Sequence, residues 1–100
     1  MGTEAGVKLD DGKLFMSLIP PETIIGLAEV LTFGANKYTK NGWQTVPEAQ
    51  DRYKDALLRH FYAFQSGETH DPESGLHHLK HVLVNASFLL HFEENPPEVE

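Results

Sequence analysis

The stretch from His70 to Asn85 (His-Asp-Pro-Glu-Ser-Gly-Leu-His-His-Leu-Lys-His-Val-Leu-Val-Asn) constrains the fold more than any other part of the chain. It puts three of the six histidines, His77, His78 and His81, within five residues. Asp71 reads as a helix N-cap, Pro72 suits the first helical position, and Glu73 is an acid in the first turn. On a helix starting there, His77, His81 and Asn85 climb in i, i+4 steps, with Glu73 one turn below and His78 beside them. The opposite arc carries Leu76, Leu79, Leu83, Ala86 and Leu90, the expected core stripe. Val84, Phe88 and Phe92 point among the polar directions, so the helix is apolar nearly all round and expected to be buried on more than one side. Two readings follow. The histidines pack between helices or in a dimer interface, or they build a polar pocket with their acidic neighbours.

The rest of the chain supplies two more helices. Lys8 to Pro21, with a turn at Asp11-Gly12 and unalternated apolar residues after it, reads as an extended arm or short strand, its lysines Lys8 and Lys13 flanking the turn. Pro20-Pro21-Glu22 opens the first helix. Ile24, Leu27, Ala28, Leu31, Ala35 and Tyr38 share one arc of it, and Glu29 sits between Ile25 and Phe33 on another. That carboxylate is either exposed or partnered. Lys40-Asn41-Gly42 is a turn, and Trp43 beside it packs the loop on the body or stacks on a base. The second helix runs from Glu48 to Gln65 and stops at Gly67. His60 lies in the middle of its apolar face of Tyr53, Leu57, Phe61 and Phe64, while Arg59 points with Arg52 and Asp55. The third helix is expected to be the longest, reaching Glu94 before Asn95-Pro96-Pro97. The fold class is therefore all-α: a small bundle of three main helices with an extended N-terminal arm, in one domain over residues 1–100, with 1–7 and 95–100 flexible.

Composition removes several function classes. A net charge of −7 argues against a broad phosphate-backbone footprint and hence against a nucleic-acid polymer as partner. It leaves open a small nucleotide held by a few local cations or by metal ions. The absence of cysteine rules out disulfides, zinc–thiolate sites and thiol catalysis. The polar N-terminus and the lack of a run of about 20 apolar residues point to a cytoplasmic protein without membrane contact.

There is no nucleophile elbow, P-loop or dinucleotide fingerprint. His70-Asp71 is a His-Asp dipeptide of the kind metal-dependent phosphohydrolases use, with His60 a candidate upstream ligand. His77 and His81 have the i, i+4 spacing of helical metal pairs. Glu29, Glu68, Asp71 and Glu73 are able to converge on Mg²⁺ or Mn²⁺ bound jointly with substrate phosphates, with lysine, arginine and histidine holding the phosphate oxygens.

Several blocks in order carry a resemblance: Lys-Leu-Asp-Asp-Gly-Lys, Leu-Ile-Pro-Pro-Glu, Phe-Gly-Ala-Asn-Lys-Tyr, Asn-Gly-Trp, Leu-Leu-Arg-His, Gly-Glu-Thr-His-Asp-Pro-Glu-Ser-Gly-Leu and His-Leu-Lys-His-Val-Leu-Val-Asn-Ala. Over residues 8 to 92 the chain resembles the phage dATP/dGTP diphosphohydrolase N-terminal domains, similar to MazZ and related to the all-α MazG-like nucleoside triphosphate pyrophosphohydrolases. The resemblance implies an oligomeric helical fold, a homodimer or homotetramer in the host cytoplasm if phage-encoded. It also implies Mg²⁺ or Mn²⁺ bound by acidic residues, and hydrolysis of a (deoxy)purine nucleoside triphosphate to monophosphate and diphosphate. Carried onto this chain, it implies metal ligands at Glu29, Glu68, Asp71 and Glu73. Substrate contacts fall at Lys8, Lys13, Lys37, Arg59 and Asn85, and catalytic roles at His60, His78 and His81. His77 matches a variable position, which shifts weight to His78 and His81.

The chain departs from the MazG-like pattern, which has a Glu-x-x-Glu pair on one helix and a Glu-x-x-Asp pair on the next. Glu68-Thr69-His70-Asp71 matches the second pair in spacing but lies in a turn, and Glu22 and Glu29 are seven apart. This motivates a second hypothesis, a non-catalytic nucleotide-binding protein that sequesters a nucleotide signal. A helical adaptor whose histidines only pack is the third.

Overall fold

The computed structural model describes residues 11–96, and within these the protein is all-helical. Helix α1 spans Pro21–Lys37, α2 Ala49–Gln65 and α3 His78–Glu94, each of 17 residues, so the third is not longer than the others. Short 3₁₀ turns occupy Met16–Leu18 and Gly42–Thr45. Lys8, the flexible stretch expected at 1–7 and residues 97–100 of the one expected at 95–100 lie outside the described residues. Residues 11–20 form an exposed arm with one 3₁₀ turn.

The helix ends follow local chemistry. Pro21 at the first position of α1 has no N–H to leave unpaired, and Glu22 and Lys37 complement the two ends of the helix dipole. The end of α2 is a Schellman motif: the Glu68 N–H donates to Ala63 O at 3.0 Å and the Gly67 N–H to Phe64 O at 3.0 Å. Gly67 adopts φ +104°, a conformation open to glycine.

The largest departure from expectation is the start of α3. Asp71 does not cap it. The chain instead makes a tight hairpin-like loop, in which Asp71 N–H donates to Leu76 O, Gly75 N–H to Asp71 O, and His78 N–H to Thr69 O, all at 2.7–2.8 Å. His70 and His77 pair as an isolated antiparallel bridge. The Asp71 carboxylate accepts the Ser74 N–H at 3.0 Å, and Gly75 at φ +75° lets the chain reverse. The helix then starts at His78, capped by His77, whose Nδ1 accepts the Leu79 N–H at 3.0 Å. Glu73 therefore leaves the helix, and the Glu73–His77–His81 ladder is broken.

Helix α3 packs along α2 and, less extensively, against α1. Its buried residues are His78, His81, Val84, Asn85 and Phe88. Of the expected core stripe, Leu76 packs on the core, but Leu79, Leu83 and Leu90 face outward, 37%, 39% and 60% exposed. On α1, Val30 and Gly26 are buried and Leu27 of the expected arc packs on the core, while Ile24 and Leu31 of that arc, and Ile25, are exposed. Gly26 permits the α1–α3 crossing, since a Cβ there would sit 3.0 Å from Lys80 Cγ. The core of Val30, Val84 and Phe88 is extended by Leu27, Trp43, Tyr53 and Leu76. Trp43 stacks on Phe88 with ring centroids 4.3 Å apart, and its carbonyl accepts from Tyr53 Oη at 2.7 Å. The tryptophan thus pins the loop after α1 to α3.

Candidate active site

His60 projects from the inward face of α2 towards the first turn of α3, which presents His78 and His81. His60 Nδ1 lies 2.8 Å from His78 Nδ1. The His60 ring stacks on His81, centroids 4.3 Å apart and planes 7° from parallel. His78 Nε2 is 2.7 Å from Glu68 Oε1. His81 Nε2 is 2.7 Å from Ser74 Oγ and 3.6 Å from Asp71 Oδ2. His60, Asp71 and His78 each offer a ligand atom, all within 4.8 Å of one another. Loop, α2 and α3 thus bring Glu68, Asp71 and the three histidines His60, His78 and His81 into one cluster.

Burial sets the charge state of this cluster. His60 is lowered to about 4, first because desolvation disfavours imidazolium, then because His81, His78 and Arg59 repel a further charge; Asp71 opposes this. His81 is lowered by desolvation and by His78 against the pull of Asp71 and Glu73. Desolvation would raise Asp71, but hydrogen bonds from Ser74 and the neighbouring histidines hold its carboxyl below the usual range. At pH 7 the cluster therefore holds neutral His60 and His81 imidazoles beside a carboxylate.

A groove of about 1180 Å³ opens next to the cluster. His60, Asp71 and His81 form part of its floor, Lys37, Arg59 and Glu73 its polar rim, and Asn85 lies deeper, its Nδ2 donating to His81 O at 2.8 Å. Aromatic residues, among them Tyr38, Trp43 and Tyr53, also line it, and Lys37 Nζ lies 5.0 Å from the centre of the Tyr38 ring. Burial raises Tyr53. Lys37 is paired with Glu73 in an exposed contact, which raises the lysine.

The other expected site residues lie apart. Glu29 is paired with Lys80 at 2.7 Å and borders a separate shallow hollow with Ile25 and Phe33. The four expected carboxylate ligands therefore do not converge: Glu29 is with Lys80, Glu73 with Lys37, Glu68 with His78, and only Asp71 sits among the ligand atoms of the cluster. Lys13 lies on the exposed arm and is not among the residues lining the groove. His70 bonds Thr69 Oγ1 through Nδ1 and packs on His77, so the His-Asp dipeptide contributes its aspartate alone. Sequence reasoning missed Ser74 and Lys80. The Asp-x-x-Ser spacing of an Asx-type turn would have found Ser74; Lys80 meets a carboxylate 51 residues away, which local spacing does not reveal.

The family model for "dATP/dGTP diphosphohydrolase, N-terminal" matches residues 3–100. The chain belongs to this family. A relative from Salmonella phage PMBT28, named dATP/dGTP diphosphohydrolase, is 36% identical over 92 residues, 92% of this chain. The match spans 31% of that relative's length, so the dATP/dGTP diphosphohydrolase N-terminal domain is under a third of the longer protein. No solved structure matches the chain. No helix among the described residues is long and apolar enough to cross a membrane.

Proposed function

We propose that this domain binds dATP or dGTP in the groove and hydrolyses it to the monophosphate and diphosphate. The observation that carries this reading is the lining of the groove, which aromatic residues, the cations Lys37 and Arg59, and the His60, Asp71 and His81 cluster share. The name of the phage relative supports the substrate class. A base stacks on the aromatic lining, and Arg59 and Lys37 meet the phosphate oxygens, for which a guanidinium fork is well suited. Lys37 exchanges Glu73 for phosphate as substrate enters.

The reaction is attack of water on the α-phosphorus with departure of diphosphate. His81, neutral and facing the groove, takes the proton of the attacking water, and Asp71 stabilises the imidazolium that results. His60, stacked on His81, fixes its plane, and His78 fixes His60 in turn. Asp71 and Glu73 are the groove carboxylates that would hold Mg²⁺ or Mn²⁺ jointly with substrate oxygens, and the bound ion supplies neutralisation of the leaving diphosphate. Glu68 and Glu29 serve by orienting His78 and Lys80.

The reading includes self-association, in the host cytoplasm. The outward leucines of α3 and isoleucines of α1 are the surface a second copy covers. Incubation of the chain with dATP or dGTP and Mg²⁺ or Mn²⁺ should release monophosphate and diphosphate in equal amounts. Inorganic phosphate as the product, or tight nucleotide binding without product, contradicts the proposal; the second result favours the sequestering protein suggested by the missing Glu-x-x-Glu pair.

A further inference from the structure

We infer that His60, His78 and Asp71 form a resident site for a transition-metal dication with imidazole affinity, of the Zn²⁺ or Co²⁺ class. The inference rests on the proposed function and adds a resident ion at the floor of its groove, distinct from the Mg²⁺ or Mn²⁺ that arrives with substrate. The donor set is two ring nitrogens and one carboxylate, with ligand atoms within 4.8 Å of one another. Hard Mg²⁺ takes oxygen ligands, whereas imidazole suits Zn²⁺ and its neighbours.

The orientation of the rings is the decisive observation. The Glu68 carboxylate accepts only, so His78 Nε2 carries the proton shared at 2.7 Å. In the neutral ring, His78 Nδ1 is then the acceptor and His60 Nδ1, 2.8 Å away, the donor, so a bound ion takes the place of the proton the two nitrogens share, with His60 moving its own proton to Nε2. Carboxylate on one nitrogen and metal on the other is the usual support for a metal-bound histidine, since it fixes both tautomer and ring plane. His78 is 3% exposed, so this orientation is held by packing rather than by solvent. The third donor is held as firmly: Asp71 Oδ2 accepts the Ser74 N–H at 3.0 Å and faces His81 Nε2 at 3.6 Å. A tetrahedral ion with bonds of about 2.0–2.1 Å needs ligand atoms about 3.3 Å apart, so the two nitrogens open by about half an ångström. Three protein ligands leave a fourth position for water or a phosphate oxygen at the floor of the groove.

The test is Co²⁺ and Zn²⁺ binding to the whole chain after dialysis against a chelator, with no nucleotide present. One equivalent of Co²⁺ per chain should give visible d–d absorption, and Zn²⁺ should displace it while excess Mg²⁺ should not. His60→Ala and His78→Ala should abolish the spectrum, Glu68→Gln should weaken binding by about 10–100-fold, and His91→Ala should leave it intact. Should an alanine variant fail to fold, imidazole ¹⁵N shifts of the unaltered protein decide: two of the six histidines should respond to Zn²⁺ through Nδ1. Absence of stoichiometric binding, displacement by Mg²⁺, or binding unchanged in His60→Ala or His78→Ala overturns the inference. Hydrolysis measured separately distinguishes the two proposals: turnover with Mg²⁺ in a chain that binds no Co²⁺ sinks the metal site alone, and binding without turnover sinks the hydrolase reading alone.

Discussion

Replacing Asp71 separates its two jobs. Its carboxylate closes the 71–76 loop by accepting the Ser74 N–H at 3.0 Å, and it is the one carboxylate of the His60–Asp71–His78 group. Asparagine keeps an acceptor for Ser74 and removes the charge; alanine removes both. A hydrogen bond to a charged group is worth about 1.5–3 kcal/mol and a neutral one about 1 kcal/mol. Asp71→Asn should therefore cost about 1 kcal/mol of stability, and Asp71→Ala about 1–2 kcal/mol more. At about 4–8 °C per kcal/mol for a domain of this size, the alanine variant should melt several degrees below the asparagine variant. Turnover should not follow stability. Loss of one preorganised electrostatic partner costs about 10²–10³ in kcat, and both variants should show that loss equally. Melting by circular dichroism and diphosphate release from dATP and dGTP are recorded on the same preparations. A folded Asp71→Asn protein with turnover within threefold of the unaltered chain refutes the reasoning.

Acid should weaken the fold before the carboxylates titrate. His60 is lowered from 6.5 to about 4, so between these pH values the unfolded chain binds a proton that the folded chain refuses. Stability is full above pH 6.5 and declines as pH falls towards 4; the shift counts for about 3 kcal/mol if fully buried, reduced by solvent screening of this half-buried ring to about 1–2 kcal/mol. Urea midpoints should fall between pH 7 and pH 5, less steeply in His60→Asn. Trp43→Ala removes the stack on Phe88 and the loop's anchor and should cost about 3 kcal/mol, read as a lowered urea midpoint. Leu83→Glu, on the exposed side of α3, should leave the fold of one chain intact and convert a dimer or tetramer to monomer in light scattering; a monomeric parent chain contradicts the self-association reading.

The helices were legible where punctuation is local. Pro20-Pro21-Glu22 marks the start of α1 and Gly67 the end of α2, because each acts within one turn of chain. The start of α3 was misread for a physical reason. Asp-Pro-Glu has the chemistry of a helix N-terminus, but the left-handed Gly75 and the bridge between His70 and His77 favour a reversal, and that pairing is not visible in residue type. The inward face of α3 was also inverted. Its leucine stripe is the more apolar side, yet the chain buries the imidazoles and Asn85 against α2, where His60 and Glu68 satisfy His78 and the leucines remain open. His60, by contrast, was placed correctly on the inward face of α2 by its spacing from Tyr53, Leu57 and Phe64. That spacing does not say which α3 residue it meets.

The measurement that tests the central claim most directly is hydrolysis of dGTP by the chain in ¹⁸O-labelled water, with products resolved by mass. Attack at the α-phosphorus puts one labelled oxygen into dGMP and none into diphosphate, which is the expected result. Label in the diphosphate, label in inorganic phosphate with dGDP as co-product, or no labelled product from folded chain contradicts the account.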